Sequence, residues 1–119
     1  MRLKEIIDIL EARIHCGEEL LDFEIKSACG ADLMSDVMAF VKEKVVLLTG
    51  LITTQTIRTA DLMDIKVVIL VRGKAPTGEM VEMAINNGMA LLSTKNTMFI
   101  ACGRLYEAGL RQHGARDIE

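Results

Sequence analysis

Three runs of this 119-residue chain, "VVLLTG" (45–50), "KVVILVRG" (66–73) and "MALLST" (89–94), are apolar without the in-out alternation of a half-buried strand. Strands that read this way are covered on both faces, which is the situation of a parallel sheet flanked by helices. Each run is followed by helical spacing. Ile57, Ala60 and Met63 fall three apart; Met80, Met83 and Ala84 follow Pro76, an early helix residue, and end at "NNG"; Met98, Ala101, Cys102 and Leu105 share a face from about Thr97 to Gly109. Three strand-helix units in succession require right-handed crossovers, and therefore an α/β layer.

The first third of the chain is less regular. Leu3, Ile6, Ile7 and Leu10 lie at i, i+3, i+4, i+7, the pattern of an amphipathic helix. "RIHCG" alternates Ile14 and Cys16 against Arg13 and His15, and "FEIKSACG" alternates Phe23 and Ile25 against Glu24 and Lys26, so two short strands are expected. Leu33, Val37, Phe40 and Val41 then predict a helix with Asp32 as its N-cap and Lys42 and Lys44 at its C-terminal end. The expectation is a single α/β domain over residues 1–110, with a mostly parallel sheet, followed by a polar tail over 111–119. Aromatics are 3% of the chain and methionines number eight, so the core is aliphatic, with methionine filling irregular space.

Composition removes several functions. A net charge of −3 and the lack of an aromatic-studded basic strand argue against a nucleic-acid surface. No window is long and apolar enough for a membrane span, and acids interrupt the N-terminal apolar pattern, unlike a signal peptide. A cytoplasmic protein is expected. Cys16, Cys29 and Cys102 are widely spaced, as are His15 and His113, so no zinc-ligand pairing is offered, and reduced, buried thiols are expected. Asp32 and Asp36 share a helix face without further ligands nearby; the expected roles are a cap and a solvated acid, and neither a metal nor a cofactor is expected.

In an open parallel sheet, ligands bind beyond the carboxyl ends of the strands. "TGLITTQT", "RGKAPTG" and "STKNT" converge there, and the candidate ligand-binding residues are Thr49, Gly50, Arg58, Arg72, Gly73, Lys74, Ser93, Thr94 and Thr97. Hydroxyls, cations and helix N-termini suit an anion. The competing reading is structural: Thr53, Thr97 and Asn96 cap helices, Gly50 and Gly73 permit turns, and the cations are solvated. "LLTGLITTQT" lacks the lysine and second glycine of a P-loop, and neither G-x-G-x-x-G nor G-x-S-x-G occurs.

Three landmarks, "IKSACGADLMSDVMAF", "VVLLTGLITTQTIRTADLMDIKVVILVRGKAP" and "MALLSTKNTMFIACGRL", together resemble the DRTGG domain family over about Leu3 to Leu110. That family is similar to the N-terminal domain of HPr kinase/phosphorylase and to the module in some phosphotransacetylases and CBS-domain pyrophosphatases. Where it shows Asp-Arg, this chain has Leu51-Ile52; where it shows Thr-Gly-Gly, this chain has Val71-Arg72-Gly73. Its final strand and hydroxyl-rich helix start match at Ser93, Thr94 and Thr97. The resemblance implies an accessory module without catalysis of its own. The expected function is a regulatory or scaffolding subunit that self-associates as a dimer and binds a partner enzyme or a small anionic ligand. The alternatives are a docking subunit without ligand, and a small enzyme on a phosphorylated substrate with Ser93 or Thr94 as nucleophile and Arg58, Arg72 or Lys74 stabilising charge.

Overall fold

In a computed structural model, described for residues 1–38 and 43–113, the chain runs α1 (Leu3–Leu10), β1 (Arg13–Cys16), β2 (Ser27–Gly30), α2 (Met34–Val37), β3 (Val45–Thr49), α3 (Thr54–Leu62), β4 (Val67–Leu70), α4 (Gly78–Asn86), β5 (Ala90–Ser93) and α5 (Met98–Glu107). The five strands form one sheet in the order β1-β5-β4-β3-β2. β2 to β5 are parallel, with Val46 opposite Val67 and Val67 opposite Ala90, and β1 returns antiparallel along β5. The apolar runs thus occupy the sheet's centre, as their lack of alternation demands.

Because β2 to β5 advance in one direction, right-handed crossovers put the connecting helices on one face. Val37, Ile57, Ala60, Met80 and Ala84 from α2, α3 and α4 pack there against Val45, Leu47, Val68, Leu70 and Leu91. The alternate strand positions, Val46, Leu48, Val67, Ile69 and Leu92, face α1 and α5 through Leu3, Ile6, Leu10, Ala101 and Leu105. The result is a three-layer sandwich in which truncating any fully buried Leu or Ile to Ala costs about 2–5 kcal/mol.

Three local expectations are corrected, and the start of the tail is placed. The second strand lies at Ser27–Gly30, and the alternating stretch before it pairs with the N-terminus instead: Leu3 N–H donates to Phe23 O at 3.1 Å and Ile25 N–H to Met1 O at 2.7 Å. Asp32 does not cap α2, whose N-cap is Leu33 without a side-chain bond; Phe40, Val41 and Lys42 lie outside the described residues. Pro76 precedes α4 rather than opening it, since Thr77 is the N-cap and its Oγ1 accepts from Met80 N–H at 3.1 Å. The start of the polar tail is docked: Ala28 N–H donates to Gln112 O at 3.0 Å and His113 bridges Ala28, covering part of the β2 edge. Among the described residues no helix is long and apolar enough to cross a membrane.

Candidate functional site

The chain leaves β4 for α4 on one face and leaves β5 for α5 on the other. Adjacent parallel strands whose connections part in this way open a crevice at their carboxyl ends. Two backbone bonds fix its floor: Arg72 N–H donates to Asn96 O at 2.8 Å and Gly73 N–H to Thr94 O at 2.9 Å. To make them, residues 72 and 73 turn through left-handed conformations with φ of 64° and 70°. Glycine adopts that region freely and arginine does not, which gives a physical reason for glycine at the position of Arg72 in the Thr-Gly-Gly pattern.

One wall is the end of α1. Leu10 O, left unpaired by the helix terminus, accepts from Thr94 Oγ1 at 2.7 Å and from Asn96 Nδ2 at 3.0 Å, and Asn96 Nδ2 also donates to Thr94 Oγ1 at 2.9 Å. Between this latch, β1, the β4–α4 loop, the β5–α5 turn and the last turn of α5 lies a cavity of about 450 Å³. Leu10, Glu11, Arg13, His15, Gly73, Lys74, Ala75, Ser93, Thr94, Lys95, Asn96 and Arg104 line it. Four cations therefore face one carboxylate. Arg13, Lys95 and Arg104 have no ion-pair partner among the described residues, and Lys74 Nζ donates to Gly50 O at 2.9 Å.

Inside the cavity, His15 Nε2 lies 2.8 Å from Ser93 Oγ. A β-bulge creates the pair. Ile14 is opposite Leu92 and Cys16 opposite Leu91, so β1 advances two residues for one of β5, and His15 is the extra one. In consequence Ile14 and Cys16, expected on one side, face opposite layers. Burial lowers the His15 pKa from its ordinary value, and the nearby Arg13 charge lowers it further, so the imidazole is held neutral near pH 7.

The nine candidate residues separate. Gly73, Lys74, Ser93 and Thr94 meet in the cavity. Thr49 and Gly50 sit at the end of β3, where the Asp32 carboxylate accepts from Gly50 N–H at 2.7 Å and from Thr49 Oγ1 at 3.3 Å. The Thr-Gly turn thus holds an anion, and the anion is internal. Arg72 lies beside this turn, since a Cβ on Gly50 would come within 3.0 Å of its Nη2. Arg58 lines a separate shallow groove with Glu79, Glu82 and Asn86 between α3 and α4. Thr97 caps α5, its Oγ1 accepting from Ile100 N–H at 3.3 Å. Thr53 occupies the N-cap of α3 without a side-chain bond, and Thr56 Oγ1 donates back to Leu51 O at 2.8 Å. Glu11, Arg13, His15 and Arg104 were not among the candidates. Only the docking of α1 and α5 and the antiparallel return of β1 bring them in, and no local pattern announces these.

The cysteines stand apart from this site. Cys16 and Cys29 are buried and Cys102 half-buried, all free thiols; burial, reinforced by Cys102 and Asp36, pushes Cys29 up to about 12. Among the described residues no three His, Cys, Asp or Glu side chains gather as metal ligands.

The fold and crevice define an α/β domain with a cationic cavity at a strand switch point. Its sequence matches no protein-family model and no curated protein. In structure it is similar to the CBS and DRTGG domains of the regulatory region of Clostridium perfringens pyrophosphatase, crystallised with its activator diadenosine tetraphosphate, at a TM-score of 0.72 and 22% identity. The likeness covers 87% of this chain and 45% of that one, so the chain spans about half of the regulatory region it matches. It is a likeness of fold, and it supports a DRTGG-like fold here.

Proposed function

We propose that the chain is a regulatory module, without turnover of its own, that binds the phosphate groups of a small anionic ligand in the cavity between α1, β1, the β4–α4 loop, the β5–α5 turn and the last turn of α5. The observation that carries this reading is the gathering of Arg13, Lys74, Lys95 and Arg104 around one cavity against Glu11 alone. Clustered like charges repel one another, and an anion between them relieves that repulsion. Among the described residues the cavity wall has no Phe, Tyr or Trp on which a base could stack. The site therefore takes the phosphate groups of a ligand and leaves any base outside. Because the structurally similar pyrophosphatase region was crystallised with diadenosine tetraphosphate, nucleoside polyphosphates are the first ligands to try.

The wider reading is a cytoplasmic DRTGG-like module over residues 1–110 that dimerises and passes ligand occupancy to a partner enzyme. A purely docking subunit is the alternative, and ligand binding separates the two. Thermal unfolding should be followed with inorganic pyrophosphate, ATP and diadenosine tetraphosphate, each in large excess. A ligand at a hundred times its Kd stabilises by about 2.7 kcal/mol. Binding should weaken at least tenfold in Lys95→Ala and Arg104→Ala, and remain unchanged in Arg58→Ala, which lies in the other groove. Absence of stabilisation by every anion, or equal binding by all three variants, would sink the cavity as the site.

A further inference from the structure

The structure places a base beside one hydroxyl of this rim. Thr94 Oγ1 is buried and committed to Leu10 O, Thr49 Oγ1 is bonded to Asp32, and Thr97 Oγ1 caps α5. Ser93 differs: it is half-buried, lines the cationic cavity, and its Oγ is 2.8 Å from His15 Nε2.

We infer that Ser93 is a covalent phosphoryl acceptor, taking a single phosphoryl group from an acyl phosphate held in this cavity. The inference rests on the anion site proposed above and adds a chemical step to it. With the imidazole proton on Nδ1, the Ser93 hydroxyl donates to Nε2. Oγ attacks phosphorus; the Oγ–P bond forms as the bond from phosphorus to the acyl oxygen breaks; the electron pair leaves on the carboxylate, and the hydroxyl proton passes to Nε2. The products are phosphoserine, a carboxylate and an imidazolium.

The donor class follows from what the cavity lacks. Among the described residues Glu11 is the single carboxyl group lining it, Lys74 Nζ is held by Gly50 O, and the other cations are engaged in neutralising the phosphate, so the step is easiest with a leaving group that departs as a stable anion. A carboxylate does so. The lysines and arginines neutralise charge on the transferring oxygens, the usual protein contribution to phosphoryl transfer. After transfer the imidazolium faces the new phosphate, and that ion pair removes the base that would activate water. The step therefore ends at the phosphoserine, which is consistent with a module that does not turn over.

The full chain should be incubated with acetyl phosphate and followed by intact-mass measurement and peptide mapping, with calorimetric binding of inorganic phosphate measured alongside. One phosphoryl group on Ser93 is expected. It should be lost in Ser93→Ala and acquired about 100-fold more slowly in His15→Gln, the low end of general-base contributions. The rate should rise with pH through the His15 titration and then level, because the neutral imidazole is the acceptor. Labelling at another residue, or at Ser93 with an unchanged rate in a folded His15→Gln, would overturn the inference. Phosphate binding without labelling would overturn the transfer step and leave the anion site standing; loss of both would remove the site as well.

Discussion

Replacing Thr94 by valine removes one hydroxyl and keeps the side-chain volume, at a residue that is 3% exposed. That hydroxyl donates to Leu10 O at 2.7 Å and accepts from Asn96 Nδ2 at 2.9 Å and from Asn96 N–H at 3.3 Å. Leu10 O keeps Asn96 Nδ2 as a second donor at 3.0 Å, so it is weakened rather than orphaned. The Asn96 donors are half-buried and regain water in part. At about 1 kcal/mol for each bond that water can replace, and up to about 3 for a buried group left unpaired, the loss is about 2–3 kcal/mol. That is a large share of the roughly 5–15 kcal/mol that holds such domains together. In urea, with a slope of about 1–1.5 kcal/mol per molar for a chain of this size, the midpoint should fall by about 2 M at unchanged slope. Thr94→Ser, which restores the oxygen, should recover most of the loss. Ser93→Ala, one residue away and half-exposed, should cost less than about 1 kcal/mol. A Thr94→Val midpoint within about 0.3 M of the parent would show that α1 is not latched to the rim through this hydroxyl, and would undo the description of the cavity wall.

Asp32→Ala should lower stability by about 1–2 kcal/mol, because Gly50 N–H loses its 2.7 Å acceptor; an unchanged urea midpoint would show that water serves as well as the carboxylate. Gly17→Ala should abolish soluble folded protein, since its φ is 95° and the added Cβ would lie 2.4 Å from Ala90 Cα, whereas Gly103→Ala in α5 meets nothing within 4 Å and should gain about 1 kcal/mol. Thermal melts of the two alanine variants against the parent decide this. For His15, whose folded-state pKa is lowered, the contribution to folding is present above its unfolded value of 6.5 and is lost as pH falls through the folded value. The parent should therefore lose more stability than His15→Gln between pH 7 and pH 5, and equal losses would refute a half-buried, neutral imidazole. Sulfate, whose own charge is constant over this range, should bind the parent more tightly as pH falls, because an anion favours the protonated ring. In His15→Gln that slope should flatten; calorimetry at pH 6 and pH 8 reads it.

The sheet's centre was legible because β3, β4 and β5 are buried on both faces, which leaves continuous apolar runs in the sequence. The turn glycines and the cap Thr97 follow from local rules; Thr77 does not stand out beside Pro76. The misplaced second strand had a true signal with the wrong partner: Phe23 and Ile25 alternate because the chain is extended there, but it is α1's N-terminus that accepts and donates the bonds. Half of the site was hidden for the same kind of reason. His15 and Ser93 are 78 positions apart, and the bulge that joins them shifts the register without a glycine or proline to mark it. Asp32 was read through its helical neighbours as a cap, while its actual partners, Thr49 and Gly50, come from the next strand.

The two ends of the carboxyl rim use similar loops to opposite electrostatic effect. At β3 the backbone N–H of the Thr-Gly turn is already filled by Asp32, and Leu51 N–H turns back to Thr49 Oγ1 at 3.2 Å. The pieces of a phosphate cradle are present there, but they satisfy one another. At β4 and β5 the backbone N–H groups of Arg72 and Gly73 are likewise spent on Asn96 and Thr94, so the β4 turn offers no amide cradle. What remains without an ion pair among the described residues is side-chain charge: Arg13 from β1, Lys95 from the β5–α5 turn and Arg104 from α5. Long cationic side chains at the mouth of a cavity tolerate ligands of different shape better than a fixed amide nest does. The consequence is testable as selectivity. Pyrophosphate, ATP and diadenosine tetraphosphate should bind in order of phosphate charge with little preference for the base, and affinity should fall steeply with added salt. A strong preference for adenine over guanine at equal phosphate number would instead require a base pocket, and so a different face of the domain.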